Sequence, residues 1–358
     1  MSFALSRSRR FFAGQSLGYW WQASRPVALG QSLSPYLLGL VVGFASLLYQ
    51  GSLLSEGPRG LACALLGFAG VALAHSGLNL FDDYFDSRLG AVAKRAQMQD
   101  GGFCARMGKC GYLGQVGAEQ VGLRDLRRIS AFMVVCALLL GAAVFCLRGW
   151  PVLVFCGIAL VLGFFYAAPP LRLSYHGLGE LIVGLIFGPV IVLAATFISC
   201  GQVSTLAVFV SIPVGLLVSN ILCAHAVMDF GPDQAAKRST FVVLLGSPRR
   251  GYYACLVMLI LVYADLLAGV AFGYLPLCAL LVLLTLPLAI TFLGQLRSYV
   301  NGQDKPFTPK PWLGSFGNWT NIQASGIAWF MAKWLLARNL CMQVSLLLAL
   351  ASLTPWYL

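Results

Sequence analysis

The stretch HSGLNLFDDYFDSRLG, residues 75–90, marks the point where a long apolar run gives way to carboxylates. Within it Asn79, Asp82, Asp83 and Asp86 stand at i, i+3, i+4 and i+7, the spacing that places side chains on one face of an α-helix. The apolar run before them, from Gly60 to Leu78, has about the length of a membrane span, so the stripe is expected at or just inside the membrane boundary. It falls at the C-terminal end of that helix, where the macrodipole already carries partial negative charge. Three carboxylates there repel one another and the helix end. A cation relieves this, and clustered oxygen donors suit Mg²⁺ carrying a phosphate-bearing substrate. Solvated charge at a helix mouth gives the same local pattern, so the rest of the chain has to decide between the two.

The composition is 59% hydrophobic and only 10% charged, more apolar than a soluble globule of 358 residues can bury. The chain therefore reads as an all-α polytopic membrane protein, a single domain over 1–358 with nine transmembrane helices around a central cavity. The spans fall at 28–49, 60–80, 129–147, 151–168, 178–199, 204–226, 251–273, 276–296 and 340–357. The stretch 321–338 is also apolar but contains Lys333 and Arg338, and is expected to be an interfacial helix.

With the N-terminus in the cytoplasm, 22 of the 24 basic residues fall on cytoplasmic segments, Arg59 and Arg148 being the exceptions. That is a strong positive-inside signal, and it puts the C-terminus outside. The net charge of +12 thus reports topology first and attraction to anionic headgroups or diphosphates second. Nothing in it points to nucleic acid, and no protein partner is implied; the partner is the lipid bilayer. Most of the eleven cysteines lie in apolar segments and act as small hydrophobes. Cys104 and Cys110 share a loop without a second pair to complete a zinc site.

Residues 1–24 form a basic arm. Its Arg9-Arg10 pair is not followed by a cleavable signal, because Trp20, Trp21 and Arg25 interrupt before the first long apolar run. With no organelle-targeting segment evident, the expected location is a bacterial inner membrane. The loop 87–128 is long, basic and glycine-rich, a candidate lid or a plain surface loop.

Two further stretches share the cytoplasmic face. In FYAAPPLRLSYHGLGELIVG, 165–184, Pro169-Pro170 must end the helix. Tyr166, Arg172, Tyr175 and His176 then surround a short turn. In NILCAHAVMDFGPDQAAKRST, 220–240, Asp229 and Asp233 stand four apart around Gly231-Pro232, which suggests a turn, and Lys237 and Arg238 follow. Five of the twelve acidic residues thus lie in two short stretches at one membrane face. Two carboxylate clusters facing each other across a cavity hold Mg²⁺ against a diphosphate, while basic neighbours take the remaining phosphate charge. A lipid-like cavity behind them selects an amphipathic substrate.

NLFDDYFD at 79–86, YAAPPLRLSYHGLGE at 166–180 and DFGPDQAAKRST at 229–240, in that order on alternate cytoplasmic loops, resemble the UbiA-type intramembrane prenyltransferases. They are most similar to the branch acting on 1,4-dihydroxy-2-naphthoate in menaquinone biosynthesis. The resemblance implies transfer of a polyprenyl group from an isoprenoid diphosphate to an aromatic acceptor. It implies that Asp83 and Asp86, with Asp229 and Asp233, bind Mg²⁺, with Asp82 beside them. Asn79 supports the first site, and Arg238 with Lys237 grips the diphosphate. Tyr166 and Tyr175 steer an allylic cation, and Arg25, Arg172 and His176 are further substrate-binding candidates. The chain departs from the family pattern at Asp82, where Asn is usual, and at Gly90, where the longer motif has a carboxylate. His225 and Ala226 replace paired asparagines, and Lys237 stands where Gly is usual.

A secondary transporter is the rival reading. It predicts acids near the bilayer midplane, a pattern only Asp265 fits. A catalytically silent homologue acting as a scaffold is a third, against which the five aspartates argue.

Overall fold

The structure, a computed structural model, describes residues 24, 26–88, 123–303 and 305–354. Arg25, most of the basic arm and most of the 87–128 loop therefore lie outside the described residues. The helices are α1 (Gly30–Tyr49), α2 (Leu53–Arg88), α3 (Leu123–Arg148), α4 (Pro151–Phe165), α5 (Gly179–Cys200), α6 (Thr205–Met228), α7 (Phe230–Ala235), α8 (Phe241–Leu245), α9 (Pro248–Ala271), α10 (Leu277–Val300), α11 (Trp319–Ala324) and α12 (Ala328–Ala351). Eight of these are long and apolar enough to cross a membrane, and α4 is a shorter apolar helix between two of them. Counting α4, the described residues supply nine crossings, and the protein is an integral membrane protein.

Alternate connections are short. Residues 149–150 join α3 to α4 and 201–204 join α5 to α6, and each turn contains a glycine at positive φ, Gly149 at 81° and Gly201 at 79°, a conformation glycine adopts without steric cost. At the other end of the bundle lie the carboxylate-bearing end of α2 and the segments 166–178 and 229–247, which between them carry the three motif stretches. Short turns therefore gather at one end of the bundle and chemistry-bearing segments at the other.

Arg148, at the short-turn end of the bundle, has a structural use there. Its guanidinium donates to the Ile198 and Ser199 carbonyls at 2.9 and 2.8 Å and to Glu56 Oε2 at 2.9 Å. It so satisfies the last carbonyls of α5, which lack helical partners, and pins α2, α3 and α5 together. Close approach of α1 to α5 needs Gly39 and Gly43: a Cβ on either would collide with the α5 backbone or with Ser199. Small residues at such crossings replace the hydrophobic drive that lipid removes.

The C-terminal region corrects the sequence reading. Residues 328–351 form one helix, and 321–338 is not a separate interfacial element. The two basic residues expected to break the span are absorbed. Lys333 is buried, donates to the Trp329 carbonyl at 2.7 Å and lies over the Tyr299 and Trp329 rings. Arg338 reaches back to the Ser315 carbonyl at 2.7 Å. Cation–π contact and carbonyl donation make the charges tolerable inside the bundle. The largest apolar core surrounds α6, whose inner residues Val210, Val214, Leu217 and Val218 pack with Leu336 and Leu340 of α12 and Leu259 of α9.

Candidate active site

The stripe on α2 forms as its spacing requires, because α2 runs without interruption through its carboxylates to Arg88. Asp83 and Asp86 are 2% and 3% exposed; Asp82 and Asn79 are half-buried. One turn before Asn79 stands His75, a buried residue that spacing alone did not single out. Its Nε2 lies 3.0 Å from the Asn79 amide nitrogen, so Nε2 accepts and the imidazole carries its proton on Nδ1. The His75 ring meets the edge of Phe187 at 5.7 Å, a residue on the π-helical turn Ile186–Val190 within α5.

The second acidic stretch breaks as expected, but at Asp229 rather than at Gly231-Pro232. Asp229 ends α6, and α7 starts at Phe230. Gly231 and Pro232 fall in the first turn of α7, where a missing amide hydrogen leaves no helical bond unmade. Asp229 and Asp233 are both 4% exposed. His225 stands one turn before Asp229, with Nε2 at 3.1 Å from Asp229 Oδ2. The asparagine-to-histidine departure thus supplies a direct partner for that aspartate.

Arg238 ties the two stretches together. Its Nη1 donates to Asp86 Oδ2 at 3.3 Å, and its Nη2 lies 4.0 Å from Asp82 Oδ1. Burial works against the guanidinium charge, but Asp86 and Asp82 more than restore it and hold the group well above its ordinary range. Arg238 reaches this position through a left-handed residue before it, Lys237 at φ 55°. The Arg238 amide donates to the Asp233 carbonyl at 2.9 Å, closing the C-terminal turn of α7 in the manner that usually employs glycine. That explains the glycine expected at this position, and the Lys237 side chain itself is exposed.

The loop between α4 and α5 contributes Tyr175. Its hydroxyl donates to Asp86 Oδ1 at 2.6 Å and its ring lies beneath the Arg238 guanidinium at 5.3 Å. Burial and the neighbouring Asp86 carboxylate raise the phenol above its ordinary range, so it stays protonated and donates. Asp86 is therefore held on both oxygens, by a phenol and by a guanidinium. Tyr166 is half-buried, and a Cβ on Gly179 would stand 3.4 Å from its hydroxyl. His176 is exposed and directs Nδ1 to the Arg172 carbonyl at 3.0 Å. Its backbone forms a parallel bridge with Ser239, so its structural part is to join two loops. Asp265 lies within α9, with Oδ2 lacking a hydrogen-bond partner.

Beneath the carboxylates α2 lines an apolar groove. Gly70, Ala74 and Leu78 succeed one another along it at one-turn spacing and lead up to Asp82; Gly141 of α3 and Cys156 of α4 face them. The groove holds about 920 Å³ of empty space, counting that open to the outside. Among the described residues no three acidic, histidine or cysteine side chains gather closely enough to hold a metal ion by themselves. The donors are nonetheless hard oxygens, buried and confined to one face. That is the arrangement suited to Mg²⁺, which takes one or two carboxylates and completes its shell with phosphate oxygens and water.

The chain is 27% identical over 63% of its length to 1,4-dihydroxy-2-naphthoate octaprenyltransferase of Bacillus subtilis, and the match covers 65% of that protein. It is 31% identical over 42% of its length to 2-carboxy-1,4-naphthoquinone phytyltransferase of Synechocystis, covering 49% of that relative. In fold it is similar to a UbiA homologue from Archaeoglobus fulgidus solved with GPP and Mg²⁺, at TM-score 0.55 and 16% identity, over 91% of this chain and 99% of that one. The UbiA prenyltransferase family model matches residues 40–308. That is well over half of the chain, and the chain belongs to the UbiA prenyltransferase family.

Proposed function

We propose that the protein transfers a polyprenyl group from an isoprenoid diphosphate to an aromatic acceptor in a Mg²⁺-dependent reaction, the acceptor being 1,4-dihydroxy-2-naphthoate. The observation that carries this reading is the meeting of the two aspartate stretches, through Arg238 on Asp86 and Asp82, about one helical turn along α2 from the last groove-lining residue, Leu78. The groove suits an isoprenoid tail, and the cation-rich carboxylate cluster suits its diphosphate. The naphthoate choice follows the two relatives named above and the YHGLGE stretch.

Asp83 and Asp86 on one side, and Asp229 and Asp233 on the other, hold Mg²⁺. When bound, the metal neutralises charge on the departing diphosphate and so favours heterolysis of the allylic C–O bond. Arg238 turns from Asp86 towards the diphosphate oxygens, for which its planar fork is suited. Tyr175 keeps Asp86 oriented through its hydroxyl and offers its ring face to the allylic cation. Asn79, held by His75, supports the first aspartate pair from one turn earlier on α2. The apolar groove walls exclude water, which otherwise captures the cation. The electron-rich acceptor carbon forms the new C–C bond, and loss of its carboxyl group as CO₂ restores the aromatic ring. The site is assigned to the cytoplasmic face of the membrane, a reading supported by the basic residues of the neighbouring segments.

The test is a transfer assay on purified, detergent-solubilised protein with a labelled polyprenyl diphosphate and a panel of aromatic acceptors. A decarboxylated, prenylated naphthol formed with Mg²⁺ and absent with EDTA is the expected result. Mg²⁺-dependent product from another acceptor would retain the mechanism and remove the naphthoate assignment. Folded protein that yields no product with any acceptor would contradict the reading.

A further inference from the structure

Glu180 is a buried acid at the cytoplasmic end of the bundle to which the proposed reaction gives no part. It is 4% exposed, in the first turn of α5, where the helix dipole favours a negative charge. Its Oε2 accepts the backbone amide of Phe241 at 3.4 Å, and its carbonyl accepts the Ser219 hydroxyl at 2.8 Å. Phe241 is the first residue of α8, two beyond Ser239 and three beyond Arg238.

The surrounding contacts show what this bond can control. Arg238 is fixed from its N-terminal side by its own amide on the Asp233 carbonyl. From its C-terminal side the chain is held twice, by the His176–Ser239 bridge and by Glu180 on Phe241. His176 directly follows Tyr175, and Gly177, at φ 73°, lies against the Leu244 side chain of α8. The segment carrying Tyr175 and the segment carrying Arg238 are thus joined edge to edge, and both side chains end on Asp86.

We propose that Glu180 is a positioning residue, the clasp that joins the Tyr175 loop to the Arg238 turn so that both side chains reach Asp86 together. What the clasp serves depends on the proposed reading of the site; the clasp itself rests on contacts alone.

Four variants test it in full-length protein in detergent. Glu180→Ala removes the acceptor, and Glu180→Gln keeps a neutral one. Phe241→Pro removes the donor at a first helical position where proline is tolerated, after a Thr240 already in extended backbone, ψ 164°. Phe241→Ala is its control, losing the ring but keeping the amide hydrogen.

Two readouts are taken. One is amide hydrogen exchange over residues 236–245. The other is the Kd for geranylgeranyl diphosphate with Mg²⁺, set against the Kd for dihydroxynaphthoate. Glu180→Ala and Phe241→Pro are expected to speed exchange and to weaken diphosphate binding about tenfold, the scale of a lost hydrogen bond to a charged acceptor. Acceptor affinity should stay unchanged, and Glu180→Gln and Phe241→Ala should remain within about threefold of wild type. Wild-type exchange and affinity in Glu180→Ala and Phe241→Pro would overturn the clasp. So would equal losses for both ligands in all four variants, which is what general loosening of the fold produces. Wild-type protein that binds no prenyl diphosphate would count against the proposed function, and the exchange measurement would still decide the clasp.

Discussion

The two aspartate stretches hold similar side chains on different scaffolds. Asp83 and Asp86 stand on an unbroken helix of 36 residues, so their separation is set by helical geometry and changes little. Asp229 and Asp233 straddle the junction of α6 and α7, and the chain beyond them makes a left-handed turn at Lys237 before delivering Arg238 to the opposite stretch. One side is a fixed rail and the other an assembled turn. In the proposed reaction this asymmetry serves a site that admits a diphosphate and then releases it. The rail holds position, and the turn supplies the cation that can exchange a carboxylate for a phosphate.

Predictions follow from disturbing each side in turn. The largest effect is expected from the rail and its counterpart: Asp83→Ala or Asp229→Ala should lower pyrophosphate release by about a thousandfold, the upper end of losing one electrostatic contact in a transition state. Both proteins should still fold in detergent, as monitored by monodispersity in size-exclusion chromatography. Near-normal turnover in either would remove its aspartate from the metal site.

Next comes the bridge. Arg238→Lys keeps the charge but loses the fork that reaches Asp86 and Asp82 together, and kcat/KM should fall about a hundredfold. Tyr175→Phe removes only the hydroxyl on Asp86 and should cost about tenfold, read as a higher Mg²⁺ requirement in a metal titration. An unchanged Mg²⁺ requirement would show that Asp86 does not need its phenol partner. The smallest effect belongs to the turn. Lys237→Gly relieves a left-handed conformation that costs an ordinary residue ~1 kcal/mol, and should raise the melting temperature slightly. Because the Lys237 side chain is exposed, diphosphate affinity should change less than about threefold. A large loss of affinity would restore Lys237 to a direct role.

The same contrast explains what the sequence made legible. The α2 stripe could be read because a regular helix converts spacing into direction, and α2 is regular through Asp86. The membrane spans could be read because hydropathy is additive along a chain. The second stretch was only partly legible. Gly231-Pro232 announced a break, but where it falls depends on which amides lack helical partners, and the break lies at Asp229. Tyr175 was read as a ring facing a cation, while its hydroxyl bond to Asp86 joins residues 89 apart that no local pattern connects.

His75 and Glu180 escaped notice for a related reason. Each looks like an ordinary residue of its own helix until the neighbouring helix or loop is placed beside it. His75 lies one turn before Asn79 on the same face, so continuing the stripe upstream by four residues was the available signal. Lys333 misled in the other direction. A charge inside an apolar run suggested an interfacial helix, yet the Trp329 carbonyl and the Tyr299 and Trp329 rings hold it inside α12.

Both aspartate stretches are proposed to act on one diphosphate through Mg²⁺. The most direct test is calorimetric titration of the purified protein with an unreactive thio-analogue of geranylgeranyl diphosphate, in Mg²⁺ and in EDTA, for wild type, Asp86→Ala and Asp229→Ala. Wild-type binding is expected to depend on Mg²⁺, and either substitution alone is expected to abolish that dependence. Binding that is indifferent to EDTA, or Mg²⁺-dependent binding that survives loss of either aspartate, would contradict the proposal.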